Sequence, residues 1–240
     1  MPRTPRPELM ALLADVKQNP DDLTPWLVLC DWLEEQDDEA DRARGEYCRL
    51  CFDKLGQKTY ASDWEKGERR RHLYRTYSEA WMGPLHVCDP KIEKGLWTIQ
   101  SGAILSYVEE LEADPEAWAW VGTLKLRHDM EEIMASEHDF GRLFSALSML
   151  DIDSILDEAE VSRLASWSAL GWVKVLKVHL PRLGGEQAES LVGSLHLKDL
   201  RRLVIDLSLP NFEAQNRERL DDAAARLEAE FGDRLVFIGG

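Results

Sequence analysis

Cys48 and Cys51 stand three residues apart, the C-x-x-C spacing that suits zinc or thiol–disulfide exchange. His86 and Cys88 would supply a third and fourth ligand from the residue types that zinc takes. The same spacing also places two thiols on one helix face, where free cysteine packs as a small apolar side chain. No second C-x-x-C and no βαβ pattern accompanies the pair. Asp151-Ile152-Asp153 is a D-x-D of the kind that holds a divalent ion. If Ile152 is buried on a strand, the two carboxylates instead face solvent as part of a binding surface, which is the expectation adopted. His128-Asp129 and His138-Asp139 have the residue types of acid–base pairs, but neighbours on a helix do not face each other. Arg69-Arg70-Arg71 with His72 and Arg75 would draw a phosphate or an acidic partner, unless Glu65, Glu68 and Glu79 neutralise it. No G-x-S-x-G, P-loop, Rossmann glycine fingerprint or H-E-x-x-H occurs. The expectation is a protein that is not an enzyme, with no cofactor, no metal and no catalytic residue. A zinc-binding or redox enzyme built on Cys48, Cys51 and Cys88 is the alternative.

Composition narrows the classes further. The 240 residues carry 29 Lys and Arg against 45 Asp and Glu, a net charge of −16, with 44% hydrophobic residues. That length and apolar fraction suit one large domain or two small ones. So acidic a chain lacks the basic footprint of a nucleic-acid binder and is repelled by anionic lipid. No apolar run approaches a membrane span, and Met1-Pro2-Arg3-Thr4-Pro5-Arg6 leads into no signal-peptide stretch. Four cysteines are too few for a disulfide scaffold. A soluble cytoplasmic location is expected, with no membrane partner.

The elements that would position these residues change period near Gly95. Before it, Leu9, Leu12, Leu13 and Val16 share one face of a helix over residues 7–17, stopped by Asn19-Pro20-Asp21-Asp22. Thr24 as N-cap with Pro25 at the first position opens a second helix, whose inner face is Trp26, Leu27, Leu29, Cys30 and Leu33. The acidic run 37–41 reads as a solvated connection. A third helix over about 40–55 would bury Tyr47, Leu50, Cys51 and Leu55, and the Ser62-x-x-Glu65 capping box opens a fourth, ended by Gly83-Pro84. Nine tryptophans fall mostly on inner faces, but Trp118 and Trp120 cannot both face inward on a helix, so one is expected as an exposed anchor.

After Gly95 the spacing L-x-x-L-x-L recurs: Val121, Leu124, Leu126; Leu147, Leu150, Ile152; Val173, Leu176, Val178; Leu200, Leu203, Ile205. The middle positions 124, 150, 176 and 203 step by 26, 26 and 27, with weaker copies at Trp97/Ile99 and Leu235/Phe237. Stretches at helical spacing lie between them, among them Ile104, Leu105, Val108 and Leu111, then Leu191 with Leu195. Neither a short strand nor one helix buries its apolar side alone, so the pattern predicts a stack, with parallel strands on the inner curve and helices outside. The fold expected is an α/β solenoid: a small all-helical module over 1–90, then the repeat stack over 91–240.

The strand motif and the unit length resemble leucine-rich repeats of the ribonuclease-inhibitor-like class. That family usually carries Asn or Cys three residues after the third apolar position; here Asp129, Ile155, Pro181 and Ser208 stand there, so the resemblance implies degenerate repeats and an irregular stack. The first part resembles the bacterial repeat-companion domain. It does so through Glu8-Leu9, Leu12-Leu13, Asn19-Pro20-Asp21-Asp22, Trp26-Leu27-Val28, Asp31-Trp32-Leu33-Glu34-Glu35 and Arg42-Ala43-Arg44-Gly45-Glu46-Tyr47-Cys48-Arg49-Leu50. This second resemblance implies architecture rather than chemistry.

On such a stack the residues beside the apolar strand positions line the inner surface. Those expected to bind a partner are Lys125, Arg127, Met149, Asp151, Asp153, Lys177, His179, Arg202 and Asp206, with Thr123, Val175 and Val204 among them. Mixed signs and apolar groups suit a protein surface better than a phosphate backbone. Residues 96–240 hold 14 basic and 26 acidic side chains, a balance of −12, so a basic partner, such as a transcription-related regulator, would be attracted at long range. An adaptor, an inhibitor and a structural subunit of a larger assembly all fit this surface.

Overall fold

The computed structural model describes residues 5–20, 22–52, 60–88, 90–93, 95–100, 104–127, 130–136, 138–208 and 217–239. It opens with four helices: α1 (Pro7–Gln18), α2 (Leu23–Glu34), α3 (Glu39–Phe52) and α4 (Tyr60–Met82). There follow β1 (Lys91–Glu93), β2 (Leu96–Gln100), α5 (Ile104–Ala113), α6 (Pro115–Ala119) and β3 (Val121–Leu126). Then come α7 (Met130–Ala135), α8 (Gly141–Ser145), β4 (Met149–Ile155), α9 (Glu158–Ser166) and β5 (Val175–His179). The chain closes with α10 (Gly185–Val192), β6 (Arg202–Asp206), α11 (Arg217–Phe231) and β7 (Leu235–Ile238). The seven strands form one sheet in strict chain order; β1 is antiparallel to β2, and β3 to β7 are parallel. This is an α/β fold with a helical N-terminal region. Among the described residues no helix is long and apolar enough to cross a membrane.

Two compact units divide the chain: Met1–Ile99 with Ser106–Gly122, and Gln100–Leu105 with Thr123–Gly240. The first therefore takes in β1, β2 and α6 beyond residue 90. Within it, Glu116 of α6 holds Arg6.

In the first unit, Leu9, Leu13 and Val16 of α1 and Trp26, Leu29, Cys30 and Leu33 of α2 are buried as the spacing predicts. Leu27 is not; it lies 44% exposed on the opposite face. The cap of α2 is Asp22 rather than Thr24, since the Asp22 carboxylate accepts from the Thr24 amide at 2.8 Å. Only Asp37 and Asp38 of the acidic run lie in the connection: Asp38 accepts from the Ala40 amide, α3 starts at Glu39, and Asp41 is held by Arg6. Helix α3 buries Ala43, Arg44, Gly45, Tyr47 and Cys48, leaving Leu50 and Cys51 half-buried. Leu55 lies outside the described residues, and Ser62 does not open α4, which already begins at Tyr60 and carries Glu65 as an exposed side chain. Gly45 lets α3 approach α2 closely, because a Cβ there would sit 2.9 Å from the Cys30 carbonyl oxygen. Gly95 has φ +89°, and a Cβ on it would meet Trp26 at 2.9 Å, so only glycine makes that turn against the ring.

In the second unit the predicted register holds row by row. Leu124, Leu150, Leu176 and Leu203 are direct partners on neighbouring strands, continued by Leu235. Leu126, Ile152, Val178, Ile205 and Phe237 form the next row. The first four members of each row have no exposed surface. Each fully buried aliphatic side chain of these rows contributes roughly 1.5–3 kcal/mol to the unit's stability. One helical expectation fails: Leu195 is 71% exposed, because α10 ends at Val192 and a turn carries Leu195 outward.

Candidate functional site

The period of two along β3–β6 buries one set of side chains and leaves the other as a polar face. Lys125, Asp151 and Lys177 are direct cross-strand partners on β3, β4 and β5. The Asp151 carboxylate lies between two ammonium groups, 3.9 Å from Lys125 Nζ and 3.7 Å from Lys177 Nζ. Lys177 Nζ also reaches Asp206 at 3.2 Å, so three strands are linked through one lysine. One row on, the Arg127 guanidinium meets Asp153 at 2.7 Å. His179 Nε2 shares a hydrogen bond with the Ser208 carbonyl at 2.8 Å. Met149, with Thr123, Val175 and Val204, is half-buried among them, and Arg202 is exposed with no ion pair among the described residues. The nine predicted residues thus share one face of neighbouring strands.

The D-x-D does not behave as expected. Asp151 is only 3% exposed, whereas Asp153 is half-buried. The flanking lysine stems cover Asp151, and their ammonium groups compensate its charge. Burial raises its pKa above the usual carboxylate value, opposed by Lys177 and Lys125. Burial works against the charge on Lys177 as well, but Asp151 and Asp206 outweigh it and hold its pKa above normal. Partial burial opposes the ionised form of Asp206, yet hydrogen bonds from Ser208 and the charge of Lys177 hold its pKa low. A carboxylate so occupied is a poor free base or metal ligand. The row instead displays an alternating charge pattern that a partner must match in register.

Other candidate residues are placed elsewhere. Cys48 is fully buried in α3 and hydrogen-bonds through sulfur to Cys30 of α2; Cys51 is half-buried and Cys88 is buried after α4. Among the described residues no group of three or more His, Cys, Asp or Glu could hold a metal ion. Arg69 pairs with Glu46 at 2.6 Å rather than with an acid of its own helix, and Arg71 pairs with Glu68. His128 and Asp129 lie outside the described residues, while Asp139 accepts from the Gly141 amide. Trp118 and Trp120 are both buried, at 3% exposure, because α6 ends at Ala119 and Trp120 enters the strand. The exposed tryptophans are Trp64 and Trp172.

Two charged arrangements in the first unit carry no local sequence signal. Arg6 donates from its backbone amide and guanidinium to Glu116 and also pairs with Asp41. Arg44 is 3% exposed, with its guanidinium carbon 3.3 Å from the Trp120 ring centre and 5.4 Å from that of Trp97. Its Nη1 donates to the Trp81 carbonyl at 3.2 Å, and its Nε and Nη2 have no hydrogen-bond partner among the described residues. A third feature was legible in principle: Asp157-x-x-Glu160 forms a complete capping box at α9, with both reciprocal bonds made.

Compared with protein-family models, with curated proteins and with solved structures, the chain matches none.

Proposed function

We propose that the chain is a non-enzymatic interaction protein whose repeat-like second unit binds a partner protein through the polar face of β3–β6. Within this reading the unit is a short, degenerate leucine-rich-repeat-like solenoid, and the helical first part is the companion module that its sequence resembles. The supporting observation is the paired charge row Lys125–Asp151–Lys177–Asp206, set in register on neighbouring strands beside exposed Arg127 and Arg202. A surface of fixed alternating charge selects a partner by complementarity and register more than by raw affinity. The net charge of −16 favours a basic partner, an adaptor or inhibitor role being equally consistent with it.

The test is mass spectrometry of whatever co-purifies with the tagged full chain. A partner retained by wild type and lost from an Arg127→Glu/Arg202→Glu variant that circular dichroism shows to be folded supports the reading, since both side chains are exposed. Retention that is identical in both proteins removes the face from the interaction. Release of the partner as salt rises from about 50 to about 500 mM marks the interaction as electrostatic.

A further inference from the structure

The carboxyl end of β4 departs from the even ladder. Ile152 pairs with Val178 and Ile155 with His179, so three steps on β4 answer one on β5. Such a bulge re-aims the side chains that follow it. Ile155 is left 57% exposed, next to buried Leu156.

Both residues line an open groove of about 1090 Å³ at the N-terminal ends of α9 and α10. Ile155 also lines a neighbouring cavity of about 610 Å³ together with Arg127 and Asp153, so the groove continues from the polar strand face. In open α/β sheets, ligands are met beyond the carboxyl ends of the strands, which is where this groove lies.

Its charges differ from those around it. Elsewhere in the unit, Asp151, Asp153, Asp206, Glu131 and Glu189 are each answered by a lysine or arginine. Around the groove, four acids, Asp157, Glu158, Glu160 and Glu186, stand against one base, Arg182, and none of the four forms an ion pair among the described residues. Asp157 and Glu160 serve the cap of α9. Glu158 and Glu186, from adjacent helices, are left close to each other, and Glu186 raises the pKa of Glu158. Two carboxylates so placed repel each other, and a cation seated between them relieves that repulsion.

We propose that this groove docks a segment of a partner protein in which an apolar side chain is flanked by lysine or arginine. The apolar group packs on Ile155, and the cation sits at Glu158 and Glu186. This rests on the protein-binding reading given above and adds the partner's chemistry and where it docks.

The probe is a fluorescently labelled peptide of alternating lysine and leucine, titrated into the full chain and followed by anisotropy. Matched lysine–serine and glutamate–leucine peptides are run beside it. Wild type is expected to bind the lysine–leucine peptide at least tenfold more tightly than either control. Glu158→Gln/Glu186→Gln and, separately, Ile155→Ser should each weaken that binding about tenfold. Glu228→Gln/Glu230→Gln, which removes the same charge from α11, should leave it unchanged. Circular dichroism confirms that each variant is folded. Equal binding of lysine–serine and lysine–leucine peptides overturns the proposal, as does equal weakening by the α11 variant, because either result means diffuse charge attraction. A native partner captured equally by wild type and by Glu158→Gln/Glu186→Gln overturns the groove while leaving the strand-face reading intact.

Discussion

The most deeply buried charged side chain of each unit, among the described residues, is held in an opposite way. In the first, Arg44 lies against the rings of Trp120 and Trp97 with a single hydrogen bond to a carbonyl. In the second, Asp151 lies between the ammonium groups of Lys125 and Lys177. The aromatic faces stabilise a cation through the ring quadrupole and dispersion but leave the Nε and Nη2 donors unused. The lysines give Asp151 true counter-ions, each on a flexible stem that can turn to water. Arg44 is therefore held mainly by shape, and Asp151 mainly by charge.

Substitution should separate the two. Arg44→Ala removes the filler between the rings and should cost about 3 kcal/mol, by analogy with large-to-small changes in cores. Arg44→Met keeps the volume and removes an incompletely satisfied charge, so it should be neutral or stabilising, as buried ions replaced by apolar groups often are. Urea denaturation of the two variants checks this. If Arg44→Met is as damaging as Arg44→Ala, charge rather than shape holds the site, and the contrast with Asp151 collapses.

Asp151→Ala should cost less, about 1–2 kcal/mol, because Lys125 and Lys177 can swing to solvent and Lys177 keeps Asp206. Lys177→Met should be the more damaging change on the same row, since it strips the nearer ammonium from Asp151 and, among the described residues, the only one from Asp206. A larger loss in Asp151→Ala than in Lys177→Met would mean that the carboxylate organises the row through contacts other than these lysines.

How far these features were legible in the sequence follows from the range of the interactions that make them. The leucine rows were legible because a repeated strand imposes the same spacing on every turn, so Leu124, Leu150, Leu176 and Leu203 announce one another. The face beside them followed from the period of two. Burial of Asp151 did not, because it depends on lysines one strand away on either side, whose reach no local pattern encodes. Arg44 and Arg6 were missed for the same reason, their partners Trp120 and Glu116 being more than 70 residues distant. The bulge that exposes Ile155 left only a faint trace, Ile155 standing three residues after Ile152 and so out of the period of two. Leu27 and Leu195 show the converse error, in which an apolar residue was assigned to the core by type although the helix phase or a turn sends it outward.

The pH dependence of stability gives a smaller effect with opposite signs at two carboxylates of one face. The pKa of Asp151 is raised above 3.8 in the folded chain, so its contribution favours folding at low pH and declines as pH rises through that raised value. The pKa of Asp206 lies below 3.8 when folded, so its contribution is full above 3.8 and is lost as pH falls through the depressed value. Asp151→Asn should thus flatten the stability curve on the neutral side of 3.8, and Asp206→Asn on the acid side. Urea midpoints between about pH 3 and about pH 7 report both. Identical curves for the two variants would show that the carboxylates share one environment.

The smallest effect is expected at Arg127 and Asp153. Their guanidinium–carboxylate contact of 2.7 Å has good geometry, but half of the arginine side chain is in water, at 49% exposure. Solvent screening then leaves an exposed pair with about 0.5 kcal/mol of coupling. A double-mutant cycle with Arg127→Ala and Asp153→Ala measures it, repeated in about 0.5 M salt, where an exposed pair should lose most of that coupling. A coupling above about 2 kcal/mol that resists salt would place this pair with Asp151 as part of the folded framework. A small, salt-sensitive value leaves Arg127 available to exchange Asp153 for an acidic group on a partner at little cost to the fold, which is the property that a recognition face needs.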